Sequence, residues 1–280
     1  MLNTIKRKVF ELRSELSYKV TLWQHALKLP ALSAGDRNLL NHLQKEGAYV
    51  TSLEELGLNS SVNLLKAASS QLSNMATPNN SKTCQKLPQI YTVTDLPEFS
   101  AWANEKRLLN IIENYIGLPV AFQGVHLRKD FANENQFGTL LWHKDSEDRR
   151  IIKIFLYLND VEEEQGPFEY VPKSFTSKFS LNFYRIYYKL WQSGYLGIDD
   201  QTLNKIIPKS AWKSCPGKAG TVIFVDTKDV LHHGTLRTEE REALFFVYTA
   251  NPPKAPELCT QYWDDTFARP KQIYSTTADV

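Results

Sequence analysis

The spacing of apolar residues divides the chain into a helical first third and a stranded remainder. Ile5, Val9, Leu12 and Leu16 recur every three or four residues with charges between them, the period of an amphipathic helix. A second helix is predicted over Asp36–Glu46, with Leu39, Leu40 and Leu43 on one face. Ser52-Leu53-Glu54-Glu55 fits a capping box that starts a short helix. The Ser-, Asn- and Thr-rich stretch Ser73–Lys86, with Pro78 inside it, predicts a loop. Pro97–Ile116 is predicted as one amphipathic helix, with Leu108, Leu109, Ile112 and Ile116 inward and Gly117 as its stop.

After Gly117 the period changes to two. Strands are predicted at Val120–Leu127, Gly138–His143, Ile151–Leu158, Phe168–Val171, Thr221–Val225, Val230–Thr235 and Ala243–Thr249. Between them, Leu181–Ile207 carries Tyr184, Tyr187, Tyr188, Trp191 and Tyr195 and is expected to form a helix or two. Helices first and strands later imply an α+β architecture, with the strands closing as an antiparallel barrel or sandwich. One catalytic domain is expected over residues 1–280. Within it, 1–117 would be helical support, 118–253 the stranded core with its insert at about 181–207, and 254–280 a C-terminal extension.

Composition narrows the classes without naming one. With 33 basic against 31 acidic residues, the net charge of +2 gives no electrostatic footprint for nucleic acid. The three cysteines, Cys84, Cys215 and Cys259, are scattered and contain no CxxC pair, which speaks against a zinc site or a disulfide framework and for a reducing cytoplasm. No stretch reaches the roughly 20 apolar residues of a membrane span. The basic N-terminus has no apolar core of a signal peptide. The expected partner is therefore a small molecule, not a nucleic acid or a membrane, in a cytoplasmic protein whose N-terminal helices pack on the barrel or on a second chain in a homodimer.

The chemistry is concentrated in Trp142-His143-Lys144-Asp145 and, some ninety residues on, Leu231-His232-His233-Gly234, followed by Arg241. Residues two apart on a strand point to one face, so His143 and Asp145 can reach one ion while Lys144 points away. Two imidazoles and a carboxylate are the ligand set of mononuclear iron(II) with open coordination positions. Either half of this pattern alone is common as a surface pair.

Residues from about Val120 to Pro253 resemble the phytanoyl-CoA dioxygenase family of iron(II)/2-oxoglutarate oxygenases. The matching pieces are Trp142–Asp145, Phe155–Val161, Gly166–Ser174 and Gly220–Phe224, leading to Leu231–Gly234 and Arg241. Lys173 stands where the family usually has Gly, and Phe175 where it has His. The resemblance implies a double-stranded β-helix with helices packed on one sheet. It implies iron(II) on His143, Asp145 and His232, with His233 the alternative if the register shifts by one. It also implies 2-oxoglutarate on Arg241 and dioxygen as the oxidant. Retention of Asp145, which related halogenases lack, favours hydroxylation; desaturation, cyclisation and epimerisation use the same ligands. His126 lies on the strand where family members set a polar residue against 2-oxoglutarate. Arg128, on the same face, could meet an anionic group of a substrate or sit in a salt bridge. Trp142 is expected in the core, and the aromatic insert as a lid or as core. The expected substrate is a compact polar metabolite such as a natural-product intermediate, a cyanobacterial alkaloid of the cylindrospermopsin type being one instance. A cupin-type metal hydrolase or isomerase has no use for Arg241 as a carboxylate clamp, and a non-catalytic binding module has none for the full ligand set.

Overall fold

A computed structural model of the protein describes residues 2–75, 86–177 and 180–270. The elements in chain order are α1 (Leu2–Ala26), α2 (Ala34–Glu46), β1 (Ala48–Ser52), α3 (Leu53–Leu56), α4 (Ser61–Ser73), β2 (Gln89–Thr92), α5 (Pro97–Ala103), α6 (Lys106–Ile116) and β3 (Val120–Asp130). They continue with β4 (Ile152–Tyr157), β5 (Phe168–Val171), α7 (Leu181–Gln192), α8 (Asp200–Asn204), β6 (Lys213–Cys215), β7 (Thr221–Asp226), β8 (Leu231–Gly234) and β9 (Arg241–Ala250). Most of the loop expected at Ser73–Lys86, residues 76–85, lies outside the described residues, as does 271–280 of the C-terminal extension.

Nine strands form two sheets among the described residues, a six-stranded one in the order β1-β7-β4-β9-β3-β2 and a three-stranded one in the order β6-β5-β8. The named pairs are antiparallel. The fold is the α+β double-stranded β-helix with helices on one sheet that the resemblance implied.

Strict alternation along the central strands decides what faces where. On β4, Ile152, Ile154 and Leu156 join the helix-side core, while Phe155 and Tyr157 face the barrel interior. On β9, Leu244, Phe246 and Tyr248 go to the helices and Ala243 and Phe245 to the interior. The helices cover the sheet with Leu39, Leu43, Leu64, Phe99, Trp102, Leu108, Ile111 and Ile112, all buried. Trp102 anchors this layer, its ring centroid 4.6 Å from that of Phe246 and its indole N–H donated to Ser61 Oγ at 3.1 Å.

Local signals placed several boundaries. Ser33 Oγ accepts from Asp36 N–H to start α2, and Gly47, at φ +91°, ends it. Ser52 Oγ accepts from Glu55 N–H, the expected cap of α3. Two expectations are corrected. Pro97–Ile116 is two helices, because the chain turns at Asn104-Glu105 and Glu105 Oε1 accepts from Ser60 Oγ at 2.7 Å and from Ser60 N–H at 3.3 Å, which holds the break open. Gly138–His143 is not a continuous strand: Gly138–Leu140 is a 3-10 turn, after which Trp142 bridges Ile198 and His143 bridges His232. Lys173, at the family's usual Gly, donates to the Tyr115 hydroxyl at 2.6 Å and pairs with Asp229 at 3.1 Å.

Candidate metal and cosubstrate site

His143 and His232 face each other across a one-pair antiparallel bridge. His143 N–H donates to the His232 carbonyl at 3.0 Å, and His232 N–H to that of His143 at 3.1 Å. Their ring centroids are 4.4 Å apart. Asp145, two residues on from His143, is fixed by its N–H to the Thr227 carbonyl at 3.0 Å. Asp145 Oδ1 is 3.9 Å from His143 Nε2, and Oδ2 is 3.9 Å from His232 Nε2. One ligand atom from each of the three residues lies within 4.8 Å of the others, the only such group of His, Cys, Asp or Glu among the described residues.

The donor chemistry fits a divalent transition metal. His143 Nδ1 lies 2.7 Å from the Leu141 carbonyl and His232 Nδ1 3.3 Å from that of Val230. A carbonyl can only accept, so Nδ1 carries the proton in each ring and Nε2 presents its lone pair toward Asp145. Burial, and then His143 beside it, push the His232 pKa down to about 3; burial also lowers that of His143. Both rings are thus neutral, the form that binds metal. Burial alone would raise the Asp145 pKa, but the Lys153 ammonium outweighs it and holds the carboxyl well below its ordinary range. Lys153 Nζ lies 2.7 Å from Asp145 Oδ2 and 3.2 Å from Glu147 Oε1.

His233 points the other way. Its Nδ1 lies 2.9 Å from the Leu140 carbonyl and its Nε2 3.0 Å from Glu169 Oε2, and its ring stacks on Trp142 at 3.8 Å. Both nitrogens are occupied, so His232 is the member of the pair that faces Asp145. Trp142 is fully buried and donates its indole N–H to Asp200 Oδ1 at 2.8 Å.

A cavity of about 110 Å³ opens from the three residues into the barrel, walled by Phe155, Tyr157, Phe168 and Phe245 and reached by Arg128, Lys153 and Arg241. Arg241 is 5% exposed. Its Nε and Nη2 donate to Asp130 Oδ2 at 3.2 and 3.0 Å, and its Nη1 donates to the Gly166 carbonyl at 2.6 Å. Gly234 lies over the guanidinium; a Cβ there would come 3.3 Å from Nη2. Asp130 also pairs with Arg128 at 2.7 Å and Arg237 at 3.2 Å.

His126 is not brought to this cavity. It shares the inner face of β3 with Arg128, but the C-terminal segment covers it. Its Nε2 lies 3.2 Å from the Gln261 carbonyl, and its ring packs against Tyr262 and Phe267 at 4.7 and 4.8 Å. His126 was expected against the cosubstrate; in the structure its neighbours are C-terminal residues. Three cavity or support residues were missed in the sequence: Lys153, Asp130 and Arg237. The first had a signal, a single cation inside the apolar run Ile151–Leu158.

A double-stranded β-helix with a His-x-Asp and a distant His at one end of its cavity, and an Arg further inside, defines a class of mononuclear-metal enzymes. The family model of phytanoyl-CoA dioxygenase matches residues 67–240, more than half of the sequence, and the chain belongs to that family. It is an iron/2-oxoglutarate oxygenase family. Among solved structures the chain is similar to HygX from Streptomyces hygroscopicus with nickel and 2-oxoglutarate bound, at 18% identity and a TM-score of 0.52 over 79% of this chain and 88% of that one. It is similar to EctD from S. alaskensis with 2-oxoglutarate and 5-hydroxyectoine, at 18% identity and a TM-score of 0.56 over 80% and 78%. It is also similar to the α-ketoglutarate-dependent epimerase SnoN from nogalamycin biosynthesis, at 15% identity and a TM-score of 0.50 over 78% and 83%. These likenesses concern the fold. No curated protein matches the sequence.

Proposed function

We propose that His143, Asp145 and His232 hold one iron(II) ion, that Arg241 holds the distal carboxylate of 2-oxoglutarate, and that the protein hydroxylates a small-molecule metabolite. The observation that carries this reading is the pairing of a converging neutral-His, neutral-His, carboxylate set with a buried guanidinium in one aromatic-walled cavity. Membership of the family supports it, as do HygX with nickel and 2-oxoglutarate and EctD with iron on the same fold.

The protein's own residues do the following. The Leu141 and Val230 carbonyls aim the two Nε2 lone pairs. Lys153, with its Nζ 2.7 Å from Asp145 Oδ2, keeps the carboxyl ionised, and Oδ2, buried without a hydrogen-bond partner, would be available to a metal ion. Arg241, held on one edge by Asp130, keeps N–H groups for a carboxylate, whose planar fork a Lys would match less well. Phe155, Phe168 and Phe245 keep water from the space between. Bound iron with 2-oxoglutarate and dioxygen supplies the oxidising chemistry, releasing succinate and carbon dioxide. Asp145 occupies the position that a halide takes in the halogenases, which sets hydroxylation ahead of halogenation.

The test is anaerobic addition of iron(II) and 2-oxoglutarate. A weak visible charge-transfer band is expected in the intact protein and none in His143→Ala or His232→Ala, whereas His233→Ala retains it. No band in the intact protein overturns the reading. With a turned-over substrate in hand, a product heavier by one oxygen atom supports hydroxylation, and a product of unchanged mass replaces it with epimerisation.

A further inference from the structure

We infer that the substrate of this site is a small oxyanion, and that Arg128 is the residue that reads its charge. The inference rests on the iron and 2-oxoglutarate reading above and adds to it the class of molecule that meets the oxidant.

Arg128 leaves the inner face of β3 with only 9% of its side chain exposed. One of its terminal nitrogens, Nη2, donates to Asp130 Oδ1 at 2.7 Å, and its guanidinium carbon sits 5.0 Å from the centroid of Phe245. Its buried Nε has no hydrogen-bond partner. An unmet N–H on a buried guanidinium is costly, and a guanidinium so placed on a residue that lines the cavity points to a ligand beside it.

The local charge count points the same way. Three guanidinium groups, those of Arg128, Arg237 and Arg241, share the single carboxylate of Asp130. Arg237 feels the excess: burial, and then Arg241 beside it, push its pKa down to about 9. Its Nε, too, is buried without a partner. The distal carboxylate of 2-oxoglutarate on Arg241 would offset one of the two surplus positive charges and leave one. At the other end of the cavity, Asp145 and Glu147 face Lys153. A divalent ion together with the keto-acid carboxylate closes that end to neutrality. The uncompensated charge is therefore on the Arg128 side, and a buried cation of this kind is stabilised by a bound anion.

Space is available there. Arg128 and Thr139 line both the iron-site cavity and a second cavity of about 210 Å³, which also takes in Lys86, Phe131, Phe137 and Arg237. Apart from its basic groups and Asp130, that second wall is mostly apolar. A molecule with a compact apolar body and one carboxylate, sulfonate or phosphate group would seat its charge on Arg128 and its body in the iron-site cavity against Phe155 and Phe245, with the second cavity giving room around the guanidinium. The size argues against large phosphorylated carriers.

Calorimetric titration of the anaerobic protein, saturated with iron(II) and 2-oxoglutarate, tests this with benzoate, benzenesulfonate and the neutral isostere benzamide. At least one of the two anions should bind about tenfold or more tightly than benzamide, the usual weight of a buried charge-assisted hydrogen bond. Arg128→Gln should remove that preference while keeping the charge-transfer band and the 2-oxoglutarate affinity within about twofold, and Arg128→Lys should restore part of it. Arg241→Gln should instead weaken 2-oxoglutarate. Neither anion outbinding benzamide, with the band present, overturns the oxyanion proposal alone. So does an Arg128→Gln protein that loses 2-oxoglutarate as Arg241→Gln does, which would assign Arg128 to the cosubstrate. Absence of the band in the intact protein overturns the underlying reading as well.

Discussion

His126 is a buried base whose ring meets a backbone carbonyl and two aromatic side chains. Burial lowers its pKa to about 4, against the opposing pull of the Gln261 carbonyl. The unfolded chain takes up this proton near pH 6.5 and the folded one only near 4. Its contribution to stability is complete above the higher value and is lost as pH falls toward the lower one, a span worth about 3 kcal/mol at order-of-magnitude precision. His126→Phe, which keeps the ring between Tyr262 and Phe267, should flatten the acid limb of the stability curve; urea midpoints at pH 7, 6 and 5 measure it. An unchanged limb would show that other groups set the acid sensitivity. At this same scale the sequence was partly legible. His143 and Asp145 were visible as a pair through strand alternation, His232 came from the resemblance with His233 as its alternative, and the structure brings the first three together. His233 could be set aside only once Glu169 and the Leu140 carbonyl were seen to occupy its ring. His126 and Arg128 are indistinguishable by alternation; what separates them is a C-terminal segment that no local pattern places.

Among the elements, most strands were legible, and three short, polar edge strands were not. Phe168–Val171 matches its predicted limits, and β4, β7 and β9 lie within a few residues of theirs. β1, β2 and β6 escaped because Ala48–Ser52, Gln89–Thr92 and Lys213–Cys215 are short and polar at half their positions, and pair only at sheet margins. The break between α5 and α6 was hidden because Asn104 and Glu105 do not interrupt the helical apolar period; Ser60, a tertiary partner, decides it. The turn before β5 carries a prediction of its own. Gly166 sits at φ +71°, and a Cβ there would come 2.6 Å from the Thr235 carbonyl oxygen and 2.9 Å from Arg237 Nε. Its carbonyl also receives Arg241 Nη1. Gly166→Ala should therefore cost about 1–3 kcal/mol in chemical denaturation. It should also weaken 2-oxoglutarate binding, whereas Gly194→Ala, with open space around it, should leave that binding unchanged.

Across the whole molecule, stability is unevenly placed. α2, α4, α5 and α6 press a continuous apolar layer onto the six-stranded sheet. α1 behaves differently: Val9, Leu12 and Leu16, from the stripe that made it legible as a helix, lie exposed together with Val20 and Trp23, with Leu12 and Trp23 more than 70% exposed. It is tied down instead by Tyr18 and Leu22, by Glu15 to Arg149 and by His25 to Glu113. Trp102→Ala should lower unfolding free energy by about 3–5 kcal/mol. The double change of Leu12 and Trp23 to Ser should move it by no more than about 0.5 kcal/mol per site. Thermal and urea melts of the two variants side by side check the contrast. A large loss in the second would mean that the stripe is covered in solution.

The reciprocal backbone pair between His143 and His232 makes the spacing of two members of the candidate metal site a property of the main chain. Each side chain's neighbour in the site is also its partner in a two-hydrogen-bond ring. On the proposed function, the site would be assembled by folding and filled afterwards. Chelation should lower the unfolding free energy only by the lost binding term, about 2.7 kcal/mol at a metal concentration one hundred times Kd, and leave the circular dichroism of the folded state intact. The two amide protons of that ring give a reporter that does not depend on turnover. If their hydrogen exchange is equally slow with and without metal, the protein enters its reaction cycle with the geometry already set, and the substrate, rather than the ion, is what it waits for.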